Sequence, residues 1–147
     1  MLVPDEPLNL GLLLFIPYRA MESAVLAEQR AHGHHLTLSQ ARVFQRIRPD
    51  GSRPGELAEA AQLTKQTLGS ILDQLEAAGY VARVPDPTDG RARLVTITDA
   101  GRELVALSLP VVRSTEEAWT EHLGPERTRQ LREALTELRA ITDPFAE

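Results

Sequence analysis

Residues 64–78 combine an apolar stripe with a face of small polar side chains. Leu68, Ile71, Leu72 and Leu75 are spaced i, i+3, i+4 and i+7, the spacing of one face of an α-helix. The opposite face is polar and uncrowded, and it carries Lys65, Gln66, Gly69, Ser70, Asp73 and Gln74. Ammonium, amide and hydroxyl groups of this kind can form hydrogen bonds with base edges and phosphate oxygens.

A second group of charged side chains follows within thirty residues. The segments 80–84 and 92–97 are rich in β-branched residues and predict two strands. Between them, the turn-forming run Pro85-Asp86-Pro87-Thr88-Asp89-Gly90-Arg91 predicts the tip of a hairpin. A hairpin with arginines at its tip can reach the minor groove of a duplex, whose negative potential attracts that side chain.

The elements that must position these groups are three short helices. Thr37 and Gln40 form a capping-box pattern that predicts a helix to about Arg48. Pro54 suits the first position of a second helix, to about Gln62, and Thr64 can cap a third, to Ala78. Three helices followed by a two-stranded hairpin is the order of a winged helix-turn-helix, so the sequence predicts a mainly α fold with a small β-hairpin wing.

Long helices are predicted on both sides of this core. The pattern from 8 to 31 is helical with Pro17 inside it, and Thr98 can cap a helix to about Leu123 that contains Pro110. A last amphipathic helix, 126–141, follows Gly124. We expect three parts: an N-terminal dimerisation helix and connector (1–35), the winged core (36–98) and C-terminal helices that complete the dimerisation region (99–147).

Ordered motifs across this core resemble the MarR family of bacterial transcriptional regulators. They are Leu57-Ala58, Thr64-Lys65-Gln66-Thr67, Leu75-Glu76-Ala77-Ala78-Gly79-Tyr80-Val81, Asp86-Pro87-Thr88-Asp89-Gly90-Arg91 and Thr96-Ile97-Thr98-Asp99-Ala100-Gly101. Any one of these fragments is weak evidence, whereas the ordered set at this spacing is specific. The resemblance extends over roughly the whole chain, because the flanking helices fall where that family places its dimerisation helices.

The resemblance implies a homodimer that binds a pseudo-palindromic site in double-stranded DNA. The residues that it places towards the major groove are Thr64, Lys65, Gln66, Thr67 and Ser70. In the wing, Asp89 would orient and support the arginines, and Arg91 and Arg93 would contact the minor groove or the backbone. The dimer interface would combine the first helix with the last.

The resemblance also implies a repressor that a small molecule releases from DNA. Relatives in this family commonly bind aromatic or phenolic acids in a crevice between the dimerisation and DNA-binding parts. The residues expected to line such a crevice here are Tyr18, Arg19, His35 and Trp119. Release would then be a population shift towards a dimer whose recognition helices are wrongly spaced.

His32, His34 and His35 form the one cluster in the sequence with metal-ligand character. Three histidines in one short loop rarely close a metal site alone, so Glu28 or His122 would be needed as further ligands. The sequence leaves metal binding open, and our prediction assigns neither a metal nor a cofactor.

Composition excludes several other classes. The net charge is −5, but residues 36–102 carry nine basic against eight acidic side chains, so the acidity lies in the two ends. No cysteine is present, which removes thiol chemistry. No catalytic triad, phosphate loop or cofactor fingerprint occurs, so we predict no enzyme activity. No apolar run approaches the ~20 residues of a membrane span, so a cytoplasmic protein is expected.

The alternative to a DNA-binding regulator is a winged-helix module that docks another protein through the polar face of the third helix.

Overall fold

A computed structural model describes residues 4–145 of the chain and contains a mainly helical fold with one hairpin. In order, its elements are α1 (Leu10–Ala31), α2 (Leu38–Phe44), α3 (Pro54–Ala60), α4 (Lys65–Ala77), β1 (Val81–Asp86), β2 (Asp89–Ile97), α5 (Asp99–Leu123) and α6 (Pro125–Thr142). The predicted fold class, a winged helix-turn-helix core between long flanking helices, is confirmed. We call α2, α3, α4, β1 and β2 the winged lobe, and α1, α5 and α6 the long-helix lobe.

The winged lobe contains most of the hydrophobic core. Helix α4 packs on α2, α3 and β1, and it buries the whole of its predicted apolar stripe. The two caps predicted within this lobe are present: the Thr37 capping box has its two reciprocal bonds, and the Thr64 hydroxyl accepts from the backbone N–H of Thr67 at 3.1 Å. These caps satisfy amide groups that would otherwise lack partners at the first turn of each helix.

Helices α2 and α3 end earlier than the sequence predicts. Helix α2 stops at Phe44 rather than Arg48, because the chain turns there and the Arg48 amide donates to the Ser52 hydroxyl at 3.0 Å. Ile47 is still buried, although it lies beyond the helix. Helix α3 stops at Ala60, and Gln62 then adopts a left-handed backbone with φ of 55°.

The two strands of the hairpin extend further towards its tip than predicted, to Asp86 in β1 and from Asp89 in β2. Its antiparallel register runs from Val81 opposite Ile97 to Pro85 opposite Arg93, with an irregularity after Pro85. A short bridge extends this sheet: the Ser52 and Val95 backbones exchange hydrogen bonds of 2.9 and 2.8 Å. The bridge fixes the base of the hairpin to the loop before α3.

The start of α5 packs tightly on the winged lobe at Gly101. A Cβ atom at this position would lie 2.3 Å from the Tyr80 carbonyl oxygen and 2.6 Å from the Ile97 side chain. The Thr98 hydroxyl accepts from the Gly101 amide at 3.1 Å and caps the helix. The pairing of Thr98 with Gly101 three residues later is therefore explained by a helix cap followed by a close approach between helix and sheet.

The long-helix lobe leaves much of its apolar surface exposed. Helix α1 packs along α5, and α6 packs on α5, and both α1 and α5 continue undivided through Pro17 and Pro110. Large exposed apolar residues on α1 are Leu10, Leu13, Leu14, Phe15 and Ile16. By length and composition alone, α1 could cross a membrane. No uninterrupted apolar run of that length occurs, since Arg19 and Glu22 lie within α1, and the helix meets this criterion through its mean hydropathy.

Candidate nucleic-acid interface

The polar face of α4 is exposed and has unused hydrogen-bonding capacity. All five residues predicted to face the major groove, Thr64, Lys65, Gln66, Thr67 and Ser70, are exposed. The Thr64 hydroxyl donates to the Thr67 hydroxyl at 2.9 Å, which orients both at the first turn. Within residues 4–145, the side chains of Lys65, Gln66 and Ser70 form no hydrogen bond or ion pair. These three groups are free to bind an external partner.

Arg83 of β1 attaches the hairpin to α4. Its guanidinium donates to the Asp73 carboxylate at 2.7 Å and to the Gly69 carbonyl at 3.2 Å. Its backbone amide also donates to the Glu76 carboxylate at 3.0 Å. Because these contacts cover more than one turn of α4, the helix and the base of the hairpin have a fixed relative position.

The arginines of the hairpin tip extend into solvent. Arg91 and Arg93 are exposed, and no carboxylate in residues 4–145 pairs with either side chain. Asp89 accepts a hydrogen bond from the backbone amide of Arg91 at 3.1 Å, so it contacts the turn and not the guanidinium groups. Together with Lys65 on α4, the two arginines give the winged lobe three exposed cationic side chains.

A second carboxylate, Asp86, anchors the hairpin to the start of α3. It is buried at 6% exposure and accepts from Arg53, the residue before α3, at 2.9 Å. It also accepts from the Thr88 amide at 2.8 Å and hydroxyl at 2.7 Å. The Thr88 hydrogen bonds, together with Arg53, lower the pKa of Asp86 below its usual value. Asp86 thus links the turn to Arg53, at the start of α3.

A cavity of about 740 Å³ lies between the two lobes. Its walls come from α1, α2 and α5, together with Leu36, Pro49 and Ile97 from connecting segments and the end of β2. The lining is mainly apolar, with a few polar groups among them, as is usual for small-molecule sites.

The structure brings one of the four predicted crevice residues to this cavity. Tyr18 lines the wall. Arg19 does not, but it donates to Glu22, which does. His35 is exposed in the connector and Trp119 is half-buried on α5, and neither belongs to the cavity wall. An effector role for His35, Arg19 or Trp119 stays a prediction.

Glu22 joins the two lobes beside the cavity. Its carboxylate, on α1, accepts two bonds from Arg42 of α2, at 2.8 and 3.1 Å, and one from the Tyr18 hydroxyl at 2.9 Å. Arg19 donates to it as well. Chiefly because of Arg42, the pKa of Glu22 falls to about 2, although burial opposes the shift. The same ion pair raises the pKa of Arg42.

Two of the three connector histidines contact different partners. The His32 ring lies 3.0 Å from the Glu28 carbonyl oxygen, and the His34 ring lies 2.9 Å from the Tyr80 hydroxyl. In residues 4–145, no group of three histidine, aspartate or glutamate side chains is arranged to hold a metal ion. The cluster therefore diverges in the fold and does not converge on one point.

Comparison with known proteins assigns the family. Residues 34–92 match the MarR family model. The HTH-type transcriptional repressor Rv2887 of Mycobacterium tuberculosis is 32% identical over 141 residues, which cover 93% of this chain and 96% of that protein. The chain belongs to the MarR family. It is a transcriptional regulator of the DNA-binding, winged-helix type.

Other MarR-family relatives match over shorter stretches or by fold. The transcriptional regulator HosA of Escherichia coli O111:H- is 36% identical over 84 residues, 54% of this chain, and the match spans only 62% of HosA. The solved structure of the transcriptional regulator PA4135 has a TM-score of 0.71 at 28% identity, covering 92% of this chain and 98% of that one. A mutant MepR of S. aureus bound to an oligodeoxyribonucleotide shares the fold, with a TM-score of 0.57 at 19% identity and coverage of 93% and 100%.

Within this MarR-family chain, sequence reasoning missed the groups that support the contact residues. Arg53, Asp86 and Arg83 hold the wing and the helix in place, yet the sequence assigned them no role. From the sequence, Asp86 is predicted only as part of the turn-forming run at the hairpin tip. Its burial could have been suspected, because Thr88 two residues later offers both an amide and a hydroxyl to an aspartate at that position.

Proposed function

We propose that the chain is a homodimeric repressor that binds a pseudo-palindromic operator and is released by a small molecule. The observation that carries this proposal is the exposed, unpaired face formed by Lys65, Gln66 and Ser70 beside the arginine-tipped hairpin. Both parts are attached to a rigid frame, by Arg83 and by the Asp86–Arg53 ion pair. A preorganised polar surface of this kind binds DNA with little ordering cost.

In the proposed complex, α4 lies in the major groove and the hairpin reaches the adjacent minor groove. Gln66 can pair with an adenine through two hydrogen bonds or accept from a cytosine amino group. Lys65 and Thr64, at the N-terminus of the helix, would contact phosphates together with free backbone amides. Arg91 and Arg93 would enter the minor groove or neutralise its phosphates, with the turn held by Asp89.

A second copy of the chain is the proposed partner of the long-helix lobe. The exposed apolar residues of α1 and the apolar stripe of α6 would pack against the same surfaces of that copy, which an isologous interface requires. The two α4 helices would then face successive major grooves, ~34 Å apart. Covering α1 in this way also accounts for its apolar composition without a membrane, so we propose a cytoplasmic location.

The cavity is the proposed effector site. It lies where α1 and α5 of the dimerisation region meet α2 of the DNA-binding region, so a ligand there contacts both parts. A ligand that binds more tightly to one arrangement of the lobes shifts the population towards it. By linkage, operator DNA must weaken ligand binding by the same factor that ligand weakens DNA binding.

The test starts from DNA chosen by unbiased selection with the purified protein, and includes the region upstream of its own gene. Fluorescence anisotropy should give sequence-preferring binding that Gln66→Ala weakens by about tenfold and Arg91→Ala by a similar factor. Arg91→Ala should also flatten the salt dependence, because one phosphate-neutralising charge is lost.

The matched control is Arg113→Ala, which removes an exposed arginine from α5 and should leave operator affinity unchanged. Equal effects of Arg113→Ala and Arg91→Ala would mean that only overall charge matters, against the proposed docking. If no DNA is preferred, and the double Gln66, Arg91 variant instead loses a protein partner, the winged lobe is a protein-docking module.

A further inference from the structure

We propose that Gly69 marks the point where the backbone of α4 meets a sugar-phosphate unit of DNA, in a cleft that Lys65 also lines. The inference rests on the proposed docking of α4 in the major groove and of the hairpin in the adjacent minor groove. It gives Gly69 a positioning role: the residue sets how closely the protein approaches the duplex and leaves the choice of bases to other side chains.

The cleft lies where α3, α4 and β1 meet, and it has a volume of about 310 Å³. Its walls are formed by Pro54 and Gly55 of α3, by Lys65, Leu68, Gly69 and Leu72 of α4, and by Arg83 of β1. Within residues 4–145, the charged groups that line it are Lys65 and Arg83, and both are cations. The cleft is therefore complementary in charge to a phosphodiester.

Lys65 is the cation of this cleft that is available to a ligand. Its side chain is exposed and has no partner within residues 4–145, whereas Arg83 already donates to Asp73 and to the Gly69 carbonyl. The Lys65 Cε atom lies 4.0 Å from the position that a Cβ of Gly55 would take, so the stem of the lysine passes the start of α3. An ammonium group on a flexible stem suits contact with a phosphate.

Gly69 leaves an open approach to the backbone of α4. It lies one turn inside the helix, where glycine is the weakest helix former after proline. Apart from the neighbouring backbone of α4, a Cβ atom built here would have no heavy atom of residues 4–145 within 4 Å. No close contact within this part of the chain accounts for a glycine, and the space beside it is free for an external group.

This open point lies on the flank of α4 that faces the hairpin. The Arg83 guanidinium of β1 donates to the Gly69 carbonyl and to the Asp73 carboxylate one turn later. Lys65 precedes Gly69 by one turn and lines the same cleft as Arg83, so it belongs to the same flank.

The geometry of duplex DNA predicts what passes over this flank. Gln66 and Ser70 each follow a flank residue by one position, which places them about 100° away round the helix. A single sugar-phosphate strand separates a major groove from the adjacent minor groove. When Gln66 and Ser70 face the major groove and the hairpin enters the minor groove, that strand must cross between them, over Lys65 and Gly69. The occupant of the cleft is thus the DNA backbone.

Substitution of Gly69 should separate protein stability from DNA affinity. Gly69→Ala should raise the melting temperature, because alanine favours a helix, and should weaken operator binding about threefold, because the methyl group meets the strand. Gly69→Met, with a longer unbranched side chain, should weaken operator binding about tenfold. Fluorescence anisotropy with the selected operator gives the affinities. A residue with only a structural role would not lose affinity while the protein gains stability.

Duplexes of unrelated sequence show whether the contact is to the backbone. At low salt, Gly69→Met should weaken binding to the operator and to a scrambled duplex of equal length by the same factor, whereas Gln66→Ala should weaken the operator alone. The matched control is Ala77→Met, which places the same side chain at an exposed position of α4 outside the cleft and should leave both affinities unchanged.

Operators with one neutral methylphosphonate each locate the phosphate. At one position in each half-site, the neutral group should weaken wild-type binding about threefold and have no effect on Lys65→Met, which has already lost the cation. Lys65→Met should also reduce the slope of log affinity against log salt by ~0.9 for each copy of the chain.

The inference is overturned if Gly69→Met binds like the wild type, if its loss is confined to the selected operator, or if Ala77→Met has the same effect. Independent losses from Lys65→Met and from the neutral phosphate at every position would also overturn it. If Gly69→Met does not fold, Gly69→Ala gives the same comparison.

The same measurements separate this inference from the proposed function. An operator that the wild type and Gly69→Met bind equally well overturns the inference and leaves the repressor in place. If no sequence is preferred, but Gly69→Met still weakens binding to every duplex, the inference stands and the proposed repressor falls. A wild-type protein that binds no duplex overturns both.

Discussion

Helices α4 and α6 are both amphipathic, but the apolar face of α4 is buried and that of α6 is exposed. On α4 the stripe residues Leu68, Ile71, Leu72 and Leu75 are at most 7% exposed. On α6 the corresponding residues Leu131, Leu135, Leu138 and Ile141 are between 38% and 83% exposed. Each stripe has the spacing of one helix face, but only the first is covered by its own chain.

This difference separates a self-contained region from an incomplete one. The winged lobe closes its core within one chain, so its stability should not depend on protein concentration. The long-helix lobe exposes apolar residues on both α1 and α6, and such contiguous surface normally marks an interface. Variants in the two helices should therefore fail in different ways.

Leu72→Ala in α4 should have the largest effect. Leu72 is 1% exposed, so truncation leaves a cavity and lowers the free energy of unfolding by about 3 kcal/mol. Urea denaturation monitored by circular dichroism should show the same loss at every protein concentration. A loss that disappears at high concentration would contradict a core contained within one chain.

Leu135→Glu in α6 should act on association instead. A carboxylate on the proposed interface would have to be buried without a partner, which weakens the dimer by about 2–3 kcal/mol. Sedimentation velocity should show a monomer with native helix content, and Glu133→Gln on the exposed side of α6 is the matched control. An unchanged sedimentation coefficient would place the interface elsewhere.

Gly101→Ala should destabilise the junction between the two regions. The added methyl group would meet the Tyr80 carbonyl oxygen at 2.3 Å, so the free energy of unfolding should fall by about 2 kcal/mol. Gly69→Ala is the control, because its Cβ has open space and alanine favours a helix by ~0.5–1 kcal/mol. Thermal unfolding of the two variants should shift in opposite directions, and equal shifts would count against a tight junction.

Glu22→Gln should have the smallest effect and change its pH dependence. The folded pKa, about 2, lies below the ordinary value of 4.5, so the Glu22 ion pair stabilises fully above about 4.5 and is lost as pH falls towards 2. At pH 7 the variant should lose about 1–2 kcal/mol. Denaturation from pH 7 to 2 should show the two proteins converging in acid, whereas a constant gap would rule out the ionised carboxylate as the cause.

The local chemistry of α4 made it predictable. Thr64 as a cap, four apolar residues at helical spacing and Gly79 after the end define the helix, and each choice agrees with the others. The capping box at Thr37 was predictable for the same reason. Local patterns could not show that α2 ends at Phe44, because the turn depends on the Ser52 hydroxyl, four residues beyond Arg48.

The hairpin was less predictable because its prolines suggest a loop. Pro85 pairs opposite Arg93 in a sheet of two strands, where the outer edge needs no amide donor and proline is tolerated. The Arg53–Asp86 ion pair spans 33 residues, and no local spacing rule connects its partners. The exposure of the apolar face of α6 could not be predicted either, because a periodic apolar stripe does not show whether it packs within its own chain or against another.

The bonds from Arg83 to Gly69, Asp73 and Glu76 have a consequence for how binding can be switched. They hold α4 and the hairpin together as one rigid unit, which can move as a whole but cannot easily change its internal geometry. In the proposed dimer, an effector would then alter the distance between the two units and leave the base preference of each unit unchanged. Operators with an altered number of base pairs between half-sites should restore binding to the ligand-loaded protein.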